Sequence, residues 1–275
     1  MFTRLGDTYR RIRNTLRSLL GNLYDSPVAG VGDPGRPASP MPATTLIDRW
    51  ILERLDNVIA DCRSAYEAFE FHKVYHTLNQ FCAVDLSSLY IDITKDRMYC
   101  DAPDSPRRRA TQAAMHKIFD ALSRLLAPIL AFTAEETWRH SGAGASVHLQ
   151  EFPQVQHLQN RATAQVAELL KLRGVIGQAI ERARQEKLIG NTLEAAVVLH
   201  SDSDVTEKID KAELEEFFIL SDLTIRQANE ASASVTKTAY KKCARCWRHR
   251  PAVGASTTRP DLCDRCESVV AAIRA

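Results

Sequence analysis

Four cysteines near the C-terminus constrain this 275-residue chain more than any other feature. They form two pairs, Cys243-Ala-Arg-Cys246 and Cys263-Asp-Arg-Cys266, with sixteen residues between the pairs. This fits the C-x2-C-x15–20-C-x2-C pattern of zinc sites. Two cysteines three apart bend around one metal, and a second pair closes a tetrahedral thiolate shell. A closed shell leaves no open position for water, so a structural Zn2+ is expected rather than a catalytic one. The tail has few large apolar side chains, and metal binding would supply its folding free energy. Two disulfides, or a redox pair, are the rival readings. His249 lies three residues past Cys246 and is a conceivable substitute ligand. Cys62, Cys82 and Cys100 sit in apolar, helix-like sequence and read as buried free thiols of a reducing compartment. The N-terminal MFTRLGDTYRR has no apolar signal core, and no apolar run approaches the roughly 18–20 residues that span a bilayer. A cytoplasmic protein without membrane attachment is expected.

Net charge is +2, but its distribution is uneven. Residues 1–24 carry five Arg and one Asp, residues 237–275 carry nine basic and three acidic side chains, and the stretch between is acidic. Basic ends on an acidic body suggest a polyanion held at two places. In residues 8–24, Ile12, Leu16, Leu19 and Leu23 recur at helical spacing. Arg10, Arg13 and Arg17 share another face, beside Asn14. Around the first cysteine pair stand Lys241, Lys242, Arg245, Trp247, Arg248, His249 and Arg250. Basic groups interleaved with an aromatic can pair phosphates and stack on an unpaired base. Trp247 as the core of the knuckle is the competing reading.

The periodicities predict an antiparallel helix bundle over 1–142, interrupted by a Pro/Gly/Ser-rich flexible connector at 25–43. Thr45 with Asp48, and Thr133 with Glu136, are read as capping boxes. One helix is predicted from about 72 to 94; residues 101–109 are read as a turn and then the start of another helix, which runs to about Leu126. Over 143–236 a small α/β unit is expected. VHLQEF is strand-like, 162–188 a long helix with Val166, Leu169, Leu170, Ile176 and Ile180 inward, 193–200 a strand, 211–220 helical and 222–228 a strand. Residues 237–275 are the four-cysteine zinc module. His72 and His76 are four apart in HKVYH, which lacks the Glu of a zinc-protease motif, so ordinary helix histidines are expected. No phosphate-binding Gly-rich loop and no G-x-S-x-G elbow are present. The fold class is therefore mainly α: a bundle, a small α/β unit and a zinc knuckle.

These stretches together resemble one family. TYRRIRNTLRSLLGNL, LIDRWILERL, FEFHKVYHTLNQFCAVDLSSLYIDITKDRMYCD and LLAPILAFTAEETW resemble the anticodon-binding bundle of isoleucyl-tRNA synthetases, class Ia enzymes, in order. LRGVIGQAIERARQEKLIGNTLEAAVVL and EEFFILSDLTI resemble the small α/β unit that follows. KCARCWRHR with LCDRC resembles the C-terminal zinc module of the bacterial-type isoleucine enzymes. The resemblance implies that Cys243, Cys246, Cys263 and Cys266 hold one Zn2+. It also implies contact with an isoleucine tRNA at its anticodon region. Candidate contacts are Arg10, Arg13, Asn14, Arg17, Lys241, Lys242, Arg245, Trp247 and Arg248. The family ligates isoleucine to tRNA with ATP, in a domain marked by His-x-Gly-His and Lys-Met-Ser-Lys-Ser signatures that do not occur here. The chain is thus expected to be a C-terminal portion, monomeric, not catalytic alone, with the catalytic half of a synthetase as its partner. A zinc-dependent RNA- or protein-binding adaptor unrelated to aminoacylation is the alternative.

Overall fold

The structure, a computed structural model, describes residues 2–26 and 45–274. The connector at 25–43 lies outside the described residues except for Asp25 and Ser26. The apolar spacing of the first helix, α1 (Phe2–Leu23), has its expected consequence. Ile12, Leu16 and Leu19 are buried, and Leu23 is half-buried. Each such aliphatic side chain contributes about 1.5–3 kcal/mol on burial. The helix packs against α5 (Pro106–Leu126), α6 (Ala131–His140) and the helical stretch Phe81–Tyr90. α2 (Leu46–Glu67) turns Ile47, Trp50, Ile51, Leu55, Val58, Ile59 and Cys62 inward, all buried as read.

At the start of α2, Thr45 is the N-cap residue, but its hydroxyl accepts no capping hydrogen bond from the backbone and donates to the Asp48 carboxylate. Asp48 is fully buried, and it also accepts hydrogen bonds from Tyr90 Oη at 2.8 Å and Thr111 Oγ1 at 3.1 Å. Hydroxyl donors from three elements satisfy a carboxylate that would be costly to bury alone.

The predicted helix over 72–94 is helical but not uniform. It comprises α3 (Phe71–Gln80), a π-helical stretch Phe81–Tyr90, and α4 (Ile91–Cys100). Across the wider turn, side chains five apart face the same way. Phe81 and Leu86 are both buried, as are Asp85 and Tyr90. Two hydroxyls follow the same spacing: Ser87 Oγ donates to the Cys82 carbonyl at 2.7 Å and Ser88 Oγ to that of Ala83 at 2.8 Å. Nothing in the apolar pattern signals this widening.

The capping box at Thr133 does not form, because α6 begins two residues earlier, at Ala131. Thr133 lies within the helix, and its hydroxyl pairs with Tyr9 Oη at 3.1 Å. The strand-like VHLQEF is a 3-10 turn, Val147–Leu149, followed by extended chain without a ladder. Its donors go to carboxylates instead. Glu135 accepts from Val147 N at 3.0 Å, and Asp56 accepts from the Gln156 and Leu158 amides at 2.5 and 3.0 Å. Glu53 then accepts from Ala162 N and Thr163 N, at the start of α7 (Arg161–Gln185).

Two compact units divide the chain. The first takes residues up to 92 and 103–163; the second takes 93–102 and those from 164 onward. The second unit contains β1 (Ala195–His200), α8 (Asp204–Glu207), α9 (Lys211–Phe218), β2 (Asp222–Arg226), β3 (Ser232–Lys237) and α10 (Asp264–Arg274). The sheet order is β2-β1-β3, with β1 parallel to β2 and antiparallel to β3. Val197 pairs with Leu223, and the alternation in β1 buries Ala195, Val197 and Leu199. On α7, Val166, Leu169, Ile176 and Ile180 are buried, but Leu170 is exposed. The first unit is mainly helical, the second combines helices with the three-stranded sheet, and no helix among the described residues is long and apolar enough to cross a membrane.

Candidate metal centre and nucleic-acid interface

The first cysteine pair sits on a tight hairpin. Cys243 N donates to the Arg248 carbonyl at 2.9 Å, Trp247 N to the Cys243 carbonyl at 3.0 Å, and Lys242 pairs with His249 in an antiparallel bridge. The turn holds Trp247 at φ 65, a strained conformation for a bulky residue that costs on the order of 1–3 kcal/mol. The second pair is tied to the first by Ala244 N, which donates to the Asp261 carbonyl at 2.9 Å. Cys263 immediately precedes α10, its carbonyl accepting from Glu267 N, and Cys266 lies in the first helical turn.

The four sulfurs lie within 4.8 Å of one another, and Cys246 and Cys263 Sγ are 3.8 Å apart. A disulfide needs about 2.05 Å, and all seven cysteines are free thiols. Four ligands at about 2.3 Å around a tetrahedral centre place neighbouring sulfurs about 3.8 Å apart. The donor set therefore fits a thiolate-preferring tetrahedral cation. His249 does not join it; its Nδ1 pairs with the Tyr240 carbonyl at 2.7 Å. The surrounding core is small, consisting of Cys243, Val253, Leu262, Cys263 and Cys266 with Cys246 and Val270 against them. In the bare cluster, a hydrogen bond with Cys266 and then burial push the Cys246 thiol up to about 12, and burial raises Cys263. Cysteine binds a metal as its thiolate.

The candidate RNA contacts on this module separate into two groups. Trp247 is 62% exposed, with Lys242 Nζ 5.2 Å from its ring centroid, and Lys241 is also exposed. Trp247 is therefore not the core of the knuckle. Arg248 and Arg245 are engaged inside the unit. Arg248 is only 6% exposed, donates to the Leu220 carbonyl at 2.9 Å and pairs with Asp96 at 3.5 Å. Burial pulls its pKa below the usual range while Asp96 opposes the shift. Arg245 donates to the carbonyls of Tyr99 and Cys100 and to Cys266 Sγ at 3.7 Å. Arg250 pairs with Glu215 at 2.8 Å, and Arg265 forks onto Asp96 at 2.7 and 2.9 Å and reaches Asp101 at 3.2 Å. Much of the basic tail is thus neutralised by acidic side chains of its own unit. Sequence reading missed Arg265 and Asp96. The available signal was a repeat: each cysteine pair carries an Arg directly before its second Cys.

On α1, Arg10 pairs with Asp7 at 3.0 Å and Arg13 with Glu136 at 3.4 Å, both at the surface. Asn14 and Arg17 are exposed. This face belongs to the first unit and the cysteine cluster to the second. His72 and His76 are both exposed, and neither is in a metal-holding group among the described residues.

Comparison with known proteins now decides the family. Residues 48–199 match the anticodon-binding domain of tRNA ligase, more than half of the chain, and residues 241–269 match the zinc finger found in FPG and IleRS. The chain belongs to the tRNA ligase anticodon-binding family. Among its relatives, isoleucine–tRNA ligase of Methylacidiphilum infernorum is 38% identical over 274 residues, covering 98% of this chain and 29% of the relative. Those of Carboxydothermus hydrogenoformans and Moorella thermoacetica are 39% and 40% identical, covering 95% and 96% of this chain and 29% and 30% of their own lengths. The chain spans about 30% of the length of the curated relatives it matches. Within them it corresponds to the C-terminal anticodon-binding domain plus zinc finger of isoleucine–tRNA ligase, and the four-cysteine cluster is that zinc finger's.

Proposed function

We propose that this chain recognises the anticodon region of an isoleucine tRNA for a ligase whose chemistry lies in other residues. One structural Zn2+ held by Cys243, Cys246, Cys263 and Cys266 keeps the knuckle folded. The observation that carries the reading is the exposed indole of Trp247 with the Lys242 ammonium against it, on a knuckle of the isoleucine–tRNA ligase type. An indole held out by a strained turn offers a stacking plane for an unpaired base, and Lys241 and Lys242 offer charge for its phosphates. Asn14 and Arg17, with Arg10 and Arg13 behind their ion pairs, are the proposed contacts on α1. Arg245 and Arg248 support the knuckle rather than touch RNA. ATP and isoleucine would bind to the catalytic half of the ligase, in a cytoplasmic, monomeric enzyme.

The test is a titration of the zinc-loaded chain with isoleucine tRNA and with a tRNA of another anticodon, at several salt concentrations. Isoleucine tRNA should bind more tightly, and affinity should fall as salt rises. Trp247→Gly should weaken binding by about 1–3 kcal/mol, roughly 5- to 150-fold, as loss of one stacked base does. Glycine accepts the positive φ, so any loss of folding cannot be blamed on the turn. Lys242→Ala should lower the salt slope by about one. Equal binding of both tRNAs, or none at low salt, refutes the reading.

A further inference from the structure

Arg245 occupies an unusual place. It sits between the ligands Cys243 and Cys246, and its half-buried guanidinium reaches the end of α4. That helix stops at Cys100, so its last carbonyls have no partner within the helix. Arg245 Nη2 donates to the Tyr99 carbonyl at 3.3 Å, and Nη1 donates to the Cys100 carbonyl. The same Nη1 lies 3.7 Å from Cys266 Sγ. One planar cation thus closes the negative end of a helix and touches a metal-site sulfur at once. The contact is returned by Cys100, whose Sγ reaches the Arg245 carbonyl at 4.0 Å. Arg265 and Arg248 add ion pairs from the knuckle to Asp96, one turn back on α4.

We infer that Arg245 is a positioning residue that links occupancy of the four-cysteine site to order at the C-terminal end of α4. The inference rests on the metal reading proposed above, and it concerns this chain's own residues. A filled site fixes the Cys-Ala-Arg-Cys loop, and with it the guanidinium that caps Tyr99 and Cys100. An emptied site leaves the loop without its metal tether, held only by a small core and a few hydrogen bonds, so the cap loosens with the metal. The dependence runs both ways, because an outer partner that orients a ligand also slows metal loss.

The experiment uses the full chain loaded with Zn2+. Zinc release to a chromogenic chelator is followed beside hydrogen exchange of the amides of residues 97–102. Chelation of the unmodified chain should speed exchange at 97–102 while the amides of α2 and α5 keep their protection. Arg245→Ala should release zinc about 10- to 100-fold faster, the range expected for loss of an outer-shell partner. It should also raise exchange at 97–102 with the metal still bound. Lys242→Ala, on the exposed side of the loop, should change neither readout. Unaltered exchange at 97–102 after complete chelation overturns the inference, and so does wild-type zinc release from Arg245→Ala. If Arg245→Ala does not accumulate as folded protein, the chelation arm on the unmodified chain decides alone. A chain that takes up no zinc refutes the metal reading itself, an outcome distinct from both.

Discussion

At the scale of single residues, the most consequential pair is Arg97 and Glu216. Their side chains are 0% and 3% exposed, with Arg97 Nε donating to Glu216 Oε1 at 2.8 Å and Nη2 to Oε2. A buried pair adds little net stability over apolar side chains of the same volume, but breaking it strands a charge. Glu216→Gln should therefore destabilise the second unit by about 3–5 kcal/mol, while Arg97→Met with Glu216→Met together should recover most of that loss. Urea unfolding followed by a probe in the second unit checks both. Neither partner was legible in the sequence, because each looks like a solvated residue on a charged helix face. The same limit explains Arg245 and Arg248. Local composition marked them as free basic groups, whereas their acceptors on α4 lie about 150 residues away in the chain. Trp247 was the reverse case: its place after Cys246 left two readings open, and the ring's exposure excludes the one that packs it as the knuckle's core.

At the scale of elements, regular apolar spacing was readable and compensation by side chains was not. Ile12, Leu16 and Leu19, or Val197 and Leu199, declare their faces by period alone. β3 does not, since Ser232–Lys237 alternates small and polar residues and is half-exposed at the sheet edge. VHLQEF has strand character but finds carboxylate partners before a neighbouring strand. The exit of α1 gives a pH-dependent prediction. Asp25 accepts a two-pronged hydrogen bond from Arg108 at 2.7 and 2.9 Å and another from Gln112 at 2.8 Å. The Arg108 hydrogen bond above all, opposed by partial burial, holds its carboxyl below the usual 3.8. The unfolded chain then binds more protons than the folded one in that acid range. The stabilisation from Asp25 is complete above 3.8 and disappears as pH falls through the lower folded value. Asp25→Asn should flatten the pH dependence of stability in this window and leave its shape unchanged above pH 5, as acid titrations of thermal unfolding would show. In the core of the same unit, Leu16→Ala should cost about 2–5 kcal/mol by thermal or urea unfolding, because Leu16 is fully buried.

At the scale of the molecule, the cysteine framework, the bundle and the α/β unit were legible, and so was the family they belong to. The path of the chain between units was not. Residues 93–102 lie in the second unit although the sequence on both sides lies in the first. Ile93, Thr94, Arg97 and Met98 are all buried there. A protein beginning at Ala164 lacks them, and it should show poor amide dispersion even with zinc present. Supplying residues 89–103 as a separate peptide should restore dispersion. A fully dispersed spectrum without the peptide would contradict this. The same threading has a consequence on the ribosome. Arg97 leaves the exit tunnel 119 residues before Glu216, and Asp96 leaves 169 residues before Arg265. At about 5–20 residues per second, those gaps last roughly 6–24 s and 8–34 s. During that interval a nascent helix end lacks its Glu216 and Arg265 partners and carries bare aliphatic groups, so translation speed past residue 163 sets how long it is open to chaperones and proteases.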